Sequence, residues 1–292
     1  MKHIISASRR TDIPAFYSDW FINRIKEGVA WYRNPMFPEK AHRVSLKVED
    51  VLAFVFWSKS YTPFLSHLQI IKDMGYKAIF HFTINNYPKV LESNVPDIST
   101  SISAARCIVD LFGAESLIWR YDPIIHSNIT DFTFHEKNFA LIAHKLKGLT
   151  SRCVFSYVNR YRKVDYEFKQ LEKNGNISVQ EISLEGKRLF AHRLSAIANA
   201  NGIALYSCCD DSLVSGDIQK AHCIDADHID AISRDKQPVK MKPTRTGCGC
   251  YESRDIGAYD TCIHGCAYCY ANTGKETAVK YHQTHDPLHM ML

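Results

Sequence analysis

Short β-branched and aromatic runs alternate with stretches of helical spacing along nearly the whole chain, and this alternation constrains the fold most. Extended segments are predicted near Ile4–Ala7, Val29–Tyr32, Leu52–Trp57, Ala78–Phe82, Leu117–Arg120, Cys153–Tyr157, Ile203–Tyr206 and His222–Ile224. Helices are predicted between them, near Phe16–Glu27, Pro63–Met74, Thr100–Phe112, Phe134–Lys147, Val164–Lys173 and Gly186–Asn201. Phe134, Phe139, Ile142 and Leu146 share one apolar face, and Gly75, Gly113, Gly148 and Gly202 stand where helical stop signals belong. Parallel strands need crossover connections, and strands covered on both faces read as apolar runs. Eight such strands alternating with helices predict an α/β fold, a (β/α)8 TIM-like barrel, with an open doubly wound sheet as the competing arrangement.

A chain of 292 residues, 46% of them hydrophobic, can bury a large core, and single domains of this length are ordinary for barrels. Repeats, low-complexity tracts and Pro/Ser-rich linkers are absent from the sequence. Residues 232–261 are rich in Lys, Arg, Gly and Asp. The expected organisation is a barrel over residues 1–231 and a cysteine-rich extension over 232–292 packed on it. The chain opens as a strand with no apolar signal core, and no apolar run approaches the ~20 residues that span a bilayer. A cytoplasmic protein without a membrane partner is expected, in which ten cysteines serve as ligands rather than disulfides. The net charge of +5 is compatible with an anionic small molecule or a nucleic acid and demands neither.

The sharpest chemical signal is Cys262-Ile-His-Gly-Cys266-Ala-Tyr268-Cys269. Random placement of 10 cysteines in 292 residues yields roughly 0.01 triplets of this spacing, so the motif calls for a metal. Three thiolates are one short of a closed four-cysteine zinc site or a fully ligated cubane. A [4Fe-4S] cluster on three thiolates keeps one iron free for a small molecule.

This loop resembles the cluster loop of the radical-SAM enzymes. The wider stretch from Gly247-Cys248-Gly249-Cys250 through Asp255–Asp260 to Asn272, with Ser8–Asp12 and Trp119–Pro123, resembles an uncharacterised family noted for a C-terminal cysteine cluster of that kind. The resemblance implies that Cys262, Cys266 and Cys269 hold a [4Fe-4S] cluster whose open iron takes S-adenosylmethionine. It also implies Tyr268 and Asn272 near that cofactor and a low-potential electron donor as partner. Two features depart from the radical-SAM pattern: the loop lies near the C-terminus, and no Gly-Gly-Glu-like segment follows the second strand.

Ligands of parallel α/β folds bind at the C-terminal ends of strands. Those positions carry Arg9, Arg10, Thr11 and Asp12, then Arg33 and Asn34, then Trp57, Ser58 and Lys59. Further along come Thr83, Asn85, Arg120, Tyr121 and Asp122, then Tyr157, Asn159, Arg160, Asp210 and Asp225. Arg9, Arg10, Arg33, Lys59, Arg120 and Arg160 are expected to ring one mouth that binds a carboxylate or phosphate. Arg9, Asp12, Arg120, Asp122 and Tyr157 are the candidate catalytic residues, and a structural Arg120–Asp122 or Arg120–Asp12 pair is the plainer alternative.

Cys208, Cys209, Cys223, Cys248 and Cys250 form a second thiol group, with Cys209, Cys223, Cys248 and Cys250 as candidate ligands of a second Fe–S cluster or a zinc. Cys107 and Cys153 read as small buried hydrophobes, a reading that also serves as the alternative for Cys208. His282, His285 and His289 read as a solvated tail, with metal binding as the alternative. The expected function is an iron–sulfur enzyme resembling radical-SAM proteins. The alternatives are a non-radical Fe–S Lewis-acid enzyme, or a nucleic-acid-binding protein with a zinc knuckle of Cys248, Cys250, Cys266 and Cys269.

Overall fold

A computed structural model describes residues 2–233 and 237–292. The chain runs β1 (His3–Ala7), α1 (Ile13–Phe16), α2 (Ser18–Glu27), β2 (Val29–Asn34), β3 (Phe37–Ser45) and β4 (Val51–Ser58). It continues with α3 (Leu65–Asp73), β5 (Ala78–Thr83), α4 (Ile98–Phe112), β6 (Leu117–Ile124), α5 (Phe132–Leu146) and β7 (Arg152–Tyr157). Then come α6 (Arg162–Gly175), α7 (Leu184–Ala200), β8 (Ala204–Ser207), β9 (Gln219–Lys220), α8 (Ala226–Ser233), β10 (Arg254–Asp255) and α9 (Lys275–Thr284). Each of the six expected helices forms within two or three residues of its predicted start, the first split into α1 and α2 at Tyr17. Side-chain caps set several starts: Asp97 and Asp131 accept from the backbone N–H three residues on, at 2.8 and 2.7 Å.

The main sheet has eight parallel strands in the order β10-β1-β4-β5-β6-β7-β8-β9. The order follows the chain except that β10 joins beside β1. Among the described residues β9 and β10 do not pair, so the sheet is open and the expected closed barrel is not formed. Two strand expectations account for this. Val29–Tyr32 belongs to β2, which pairs antiparallel with β3 in a separate hairpin whose turn is held by Asn34 Oδ1 accepting from Met36 N–H at 3.0 Å. His222–Ile224 is no strand, because its backbone is taken by the cysteine segment: Ile224 N–H points at Cys250 Sγ, 3.5 Å away, and Ile224 C=O accepts from Tyr251 N–H at 3.1 Å.

Alternation along the strands divides the core in two. Ile5, Phe54, Phe56, Phe80, Trp119 and Phe155 face the helices with Trp20 and Phe21. Their neighbours Ile4, Val55, Ile79, Ile118 and Val154, all aliphatic, point to the other face. Aliphatic side chains leave room there for Cys208, Cys223, Cys248 and Cys250, which pack against them with Ile224, Ala226 and Ile229. The tail is solvated over residues 286–290, but it is also tied to the fold. Trp20 Nε1–H donates to His289 C=O at 2.8 Å, and the rings of His282 and His285 lie edge-on to Tyr17 at 5.5 and 4.8 Å. Among the described residues no helix is long and apolar enough to cross a membrane.

His135 on α5 is fully buried, with Nδ1 2.7 Å from Tyr121 Oη and Nε2 2.9 Å from Ile125 C=O. Burial lowers its pKa to about 4 from the ordinary 6.5. The unfolded chain therefore binds the proton first, and stability falls as pH drops from 6.5 towards 4. The slope from this one group is about 1.4 kcal/mol per pH unit. Urea unfolding of the wild type and His135→Gln at about pH 7 and pH 5, either side of the ordinary histidine value, checks this. The variant is expected to be less stable at both values and to lose about one proton's worth of the pH slope.

Candidate metal centre

The C-terminal ends of the parallel strands open onto a cavity of about 600 Å³. Cys262, Cys266 and Cys269 line it, and so do Cys208, Cys209, Cys223, Cys248 and Cys250. The two sulfur groups occupy different packing neighbourhoods. Cys266 and Cys269 pack with Tyr87, Leu91 and Tyr268, whereas Cys248 and Cys250 pack with Cys208 and Cys223. All ten cysteines are free thiols, and Cys107 is exposed on α4 rather than buried. Among the described residues no three His, Cys, Asp or Glu side chains close on one point as ligands of a single metal ion do.

The loop of Cys262–Cys269 is held at three places to the segments that follow β1, β4 and β5. Glu92 and Cys266 form an antiparallel bridge, and Ala267 N–H donates to Leu91 C=O at 3.0 Å. Asp12 is consumed by anchoring: Oδ1 caps α1 through Ala15 N–H at 3.0 Å, while Oδ2 accepts from Lys59 N–H at 2.8 Å and meets His264 Nε2 at 2.7 Å. His264, inside the cysteine loop, turns its other nitrogen toward Asn94 C=O at 3.3 Å. Glu92, 2% exposed, is the third anchor. Its Oε1 accepts from Lys59 Nζ at 2.8 Å, from Asn85 Nδ2 at 2.9 Å and from the Tyr268 hydroxyl. Burial pushes the Cys266 thiol up to about 12, and the Lys59 ammonium opposes that shift. Burial also raises Cys262, reinforced by Asp12 and by the negative charge Cys266 and Cys269 would carry.

Arg120 lies at the junction of the cavity and the second sulfur group. Its Nε and Nη2 donate to Asp122 Oδ2 at 3.1 and 2.6 Å, and Nη1 donates to Cys223 Sγ at 3.2 Å. The structural Arg120–Asp122 pair is therefore present. Cys208 Sγ is 3.4 Å from Cys223 Sγ and 3.8 Å from Cys209 Sγ. Hydrogen bonds from Cys208 and Cys250 hold Cys223 well below the ordinary thiol range, against burial and with help from Arg120. Cys208 and then Arg245 bring Cys209 to about 6.

Of the six cations expected at the mouth, Arg9, Arg10, Lys59 and Arg120 line the cavity. Arg33 is carried away on the β2–β3 hairpin, and Arg160 pairs with Asp165 at 2.5 Å and Glu181 at 3.6 Å. Arg10, Lys59 and Arg120 face Asp255, Glu92 and Asp122. Arg9 differs. Its guanidinium lies 5.7 Å over the Trp57 ring and reaches only the hydroxyls of Thr244 and Ser253, at 3.3 and 3.5 Å. Among the described residues it has no acidic partner. Tyr157 lines the cavity, but its hydroxyl donates to Lys187 C=O at 3.1 Å. Tyr268 also lines it, with its hydroxyl committed to the Glu92 network. Asn272 stands behind the loop, donating to Cys262 C=O at 2.5 Å, and its Oδ1 is buried without a partner among the described residues.

Glu92, His264, Asp255 and Arg245 were not foreseen. Asp255 on β10 accepts from Ser6, Ser8 and the Arg9 N–H, at 2.7, 2.6 and 3.1 Å, and so sutures the C-terminal segment to the end of β1. Arg245 Nε donates to Cys209 Sγ at 3.1 Å. Its position five residues before Cys250 was the available signal. The segment can approach Cys209 because residue 247 is glycine: φ is +75°, and a Cβ there would lie 2.8 Å from Cys209 O. Gly247→Ala is expected to cost about 1–3 kcal/mol through backbone strain alone. Thermal unfolding checks this, together with slower Cys209 alkylation near neutral pH as Arg245, which favours the thiolate, is displaced.

The family described as Domain of unknown function (DUF1848) matches residues 4–271, and the chain belongs to it. No curated protein matches the chain. Among solved structures, a D-hydantoinase is 10% identical over 72% of this chain, with a TM-score of 0.33. The D-hydantoinase of Bacillus sp. AR9 is 12% identical over 73% of it, also at 0.33. The matched region is 42% of each hydantoinase chain.

Proposed function

We propose that the protein is an iron–sulfur enzyme resembling the radical-SAM proteins. In this reading Cys262, Cys266 and Cys269 hold a [4Fe-4S] cluster beside an anionic small molecule, at the C-terminal ends of the parallel strands. The observation that carries the reading is that three thiols of one short loop open onto the same cavity as the Arg9 guanidinium, which has no acidic partner among the described residues. The donor set fits the group: three soft ligands, too few to close a structural site, with a lysine ammonium beside one of them to favour the thiolate. When bound, such a cluster supplies a one-electron couple and one iron open to a small molecule.

The chain's own residues supply the rest. Arg9, stacked on Trp57 with its fork unoccupied by carboxylate, binds the anion bidentately. Asp12 and His264 fix the loop against α1, and Glu92 fixes Tyr268 and Lys59 behind Cys266. The Arg120–Asp122 pair and the Ser156 hydroxyl that donates to Asp122 add polar lining to the same cavity. S-Adenosylmethionine would meet the cavity beside Cys269 and Tyr268, with a low-potential reductase as electron source. The lack of a Gly-Gly-Glu-like segment favours a second reading, in which the open iron polarises a hydroxyl or carboxylate without radical chemistry.

Anaerobic reconstitution with iron and sulfide tests the proposal. A brown chain with broad absorbance at about 400 nm is the expected result. Zinc uptake with no iron would overturn it. Release of 5′-deoxyadenosine on adding S-adenosylmethionine and dithionite separates the radical reading from the Lewis-acid one.

A further inference from the structure

We infer that Cys209, Cys223, Cys248 and Cys250 bind a second [4Fe-4S] cluster, one thiolate to each iron, across the cavity from the Cys262–Cys269 loop. The inference does not rest on what that loop holds. These four sulfurs come from three separate stretches of chain, the end of β8, the segment after β9 and the segment before β10, yet all four residues line the cavity and pack in one cluster.

Each of the four also has an N–H group aimed at it. Arg245 Nε donates to Cys209 Sγ at 3.1 Å, and Arg120 Nη1 donates to Cys223 Sγ at 3.2 Å. The Cys250 backbone N–H donates to Cys248 Sγ at 3.4 Å, and the Ile224 N–H donates to Cys250 Sγ at 3.5 Å. A cysteine buried only as a small hydrophobe is a weak acceptor that needs no such donor. Thiolates bound to iron are different: N–H groups aimed at their sulfurs stabilise the charge and set the potential of the cluster. The backbone here gives two amides to sulfur, and one of them, at Ile224, belongs to the run that a strand at 222–224 would have paired in the sheet.

Charge points the same way. Four thiolates on a cubane core of charge about +2 leave roughly two negative charges. The Arg120 and Arg245 guanidinium groups face that site from two sides. Cys208, 3.4 Å from Cys223 Sγ, has no N–H donor aimed at it among the described residues and is the spare thiol.

Iron and acid-labile sulfide per chain, after anaerobic reconstitution of the full chain, test the inference. The wild type is expected to hold about eight irons, and Cys262→Ala/Cys266→Ala/Cys269→Ala about four, with absorbance near about 400 nm retained. Cys209→Ala/Cys223→Ala/Cys248→Ala/Cys250→Ala should likewise fall to about four. Because replacing buried cysteines can unfold the chain, circular dichroism accompanies each variant. The half-exposed Cys209→Ala alone, placed in the loop triple variant, should then lose most of the remaining absorbance. The inference is overturned if the loop triple variant folds without iron, if it binds zinc instead, or if adding Cys209→Ala leaves its iron unchanged.

Discussion

Arg120→Met is expected to destabilise the fold by about 3–5 kcal/mol, because it strips the counter-charge from the partly buried Asp122 and the buried Cys223 at once. Methionine fills much of the same volume and supplies none of the three N–H donors. The Asp122 carboxylate would keep only the Ser156 hydroxyl, since Asn85 bonds the Asp122 backbone, and Cys223 would lose its cation. Asp122 is 23% exposed at its side chain, so water relieves part of its burden and places the loss nearer the lower figure. The double variant Arg120→Met/Asp122→Asn should recover a large share of it, since the unpaired carboxylate is gone. Equilibrium urea unfolding of both chains measures the coupling. Additive losses would mean that the pair is incidental to stability.

The second large effect is expected at Glu92. Glu92→Ala removes the acceptor shared by Lys59, Asn85 and Tyr268 and leaves the Lys59 ammonium without its carboxylate. Lys59 retains 15% exposure of its side chain, so about 3 kcal/mol is expected rather than more. The cysteine loop should loosen as well, because Tyr268 sits between Cys266 and Cys269 in the chain and the bridge to Cys266 starts at Glu92. Glu92→Gln keeps an acceptor oxygen and should lose less. The measurement is unfolding free energy alongside iron retained under a mild chelator. Iron loss in Glu92→Ala with retention in Glu92→Gln is the expected pattern, and equal retention in all three chains would refute it.

Most helices and six of the eight sheet strands were readable from periodicity, because packing against the sheet enforces both the apolar stripe and the apolar run. The sheet's last two members were not. β9 and β10 are two residues each, Gln219–Lys220 and Arg254–Asp255, and carry no hydrophobic pattern. What fixes β10 is Asp255 reaching Ser6 and Ser8, an interaction spanning nearly the whole chain. The apolar run at His222–Ile224 has its periodicity for another reason, as it plugs the aliphatic face of the sheet with the cysteines. At the cavity, spacing alone made the Cys262–Cys269 loop conspicuous. Its supports were silent, because Lys59 and Glu92 are 33 residues apart and Asp12 and His264 are 252 apart. The tail histidines looked solvated because nothing local reveals that Tyr17 and Trp20 receive them.

X-ray absorption at the iron and zinc edges of anaerobically purified protein tests the central claim most directly. The account predicts iron surrounded by sulfur and by further iron, with signal lost when Cys266 is replaced by serine. Zinc in a sulfur shell at about 2.3 Å, with no iron present, would contradict it.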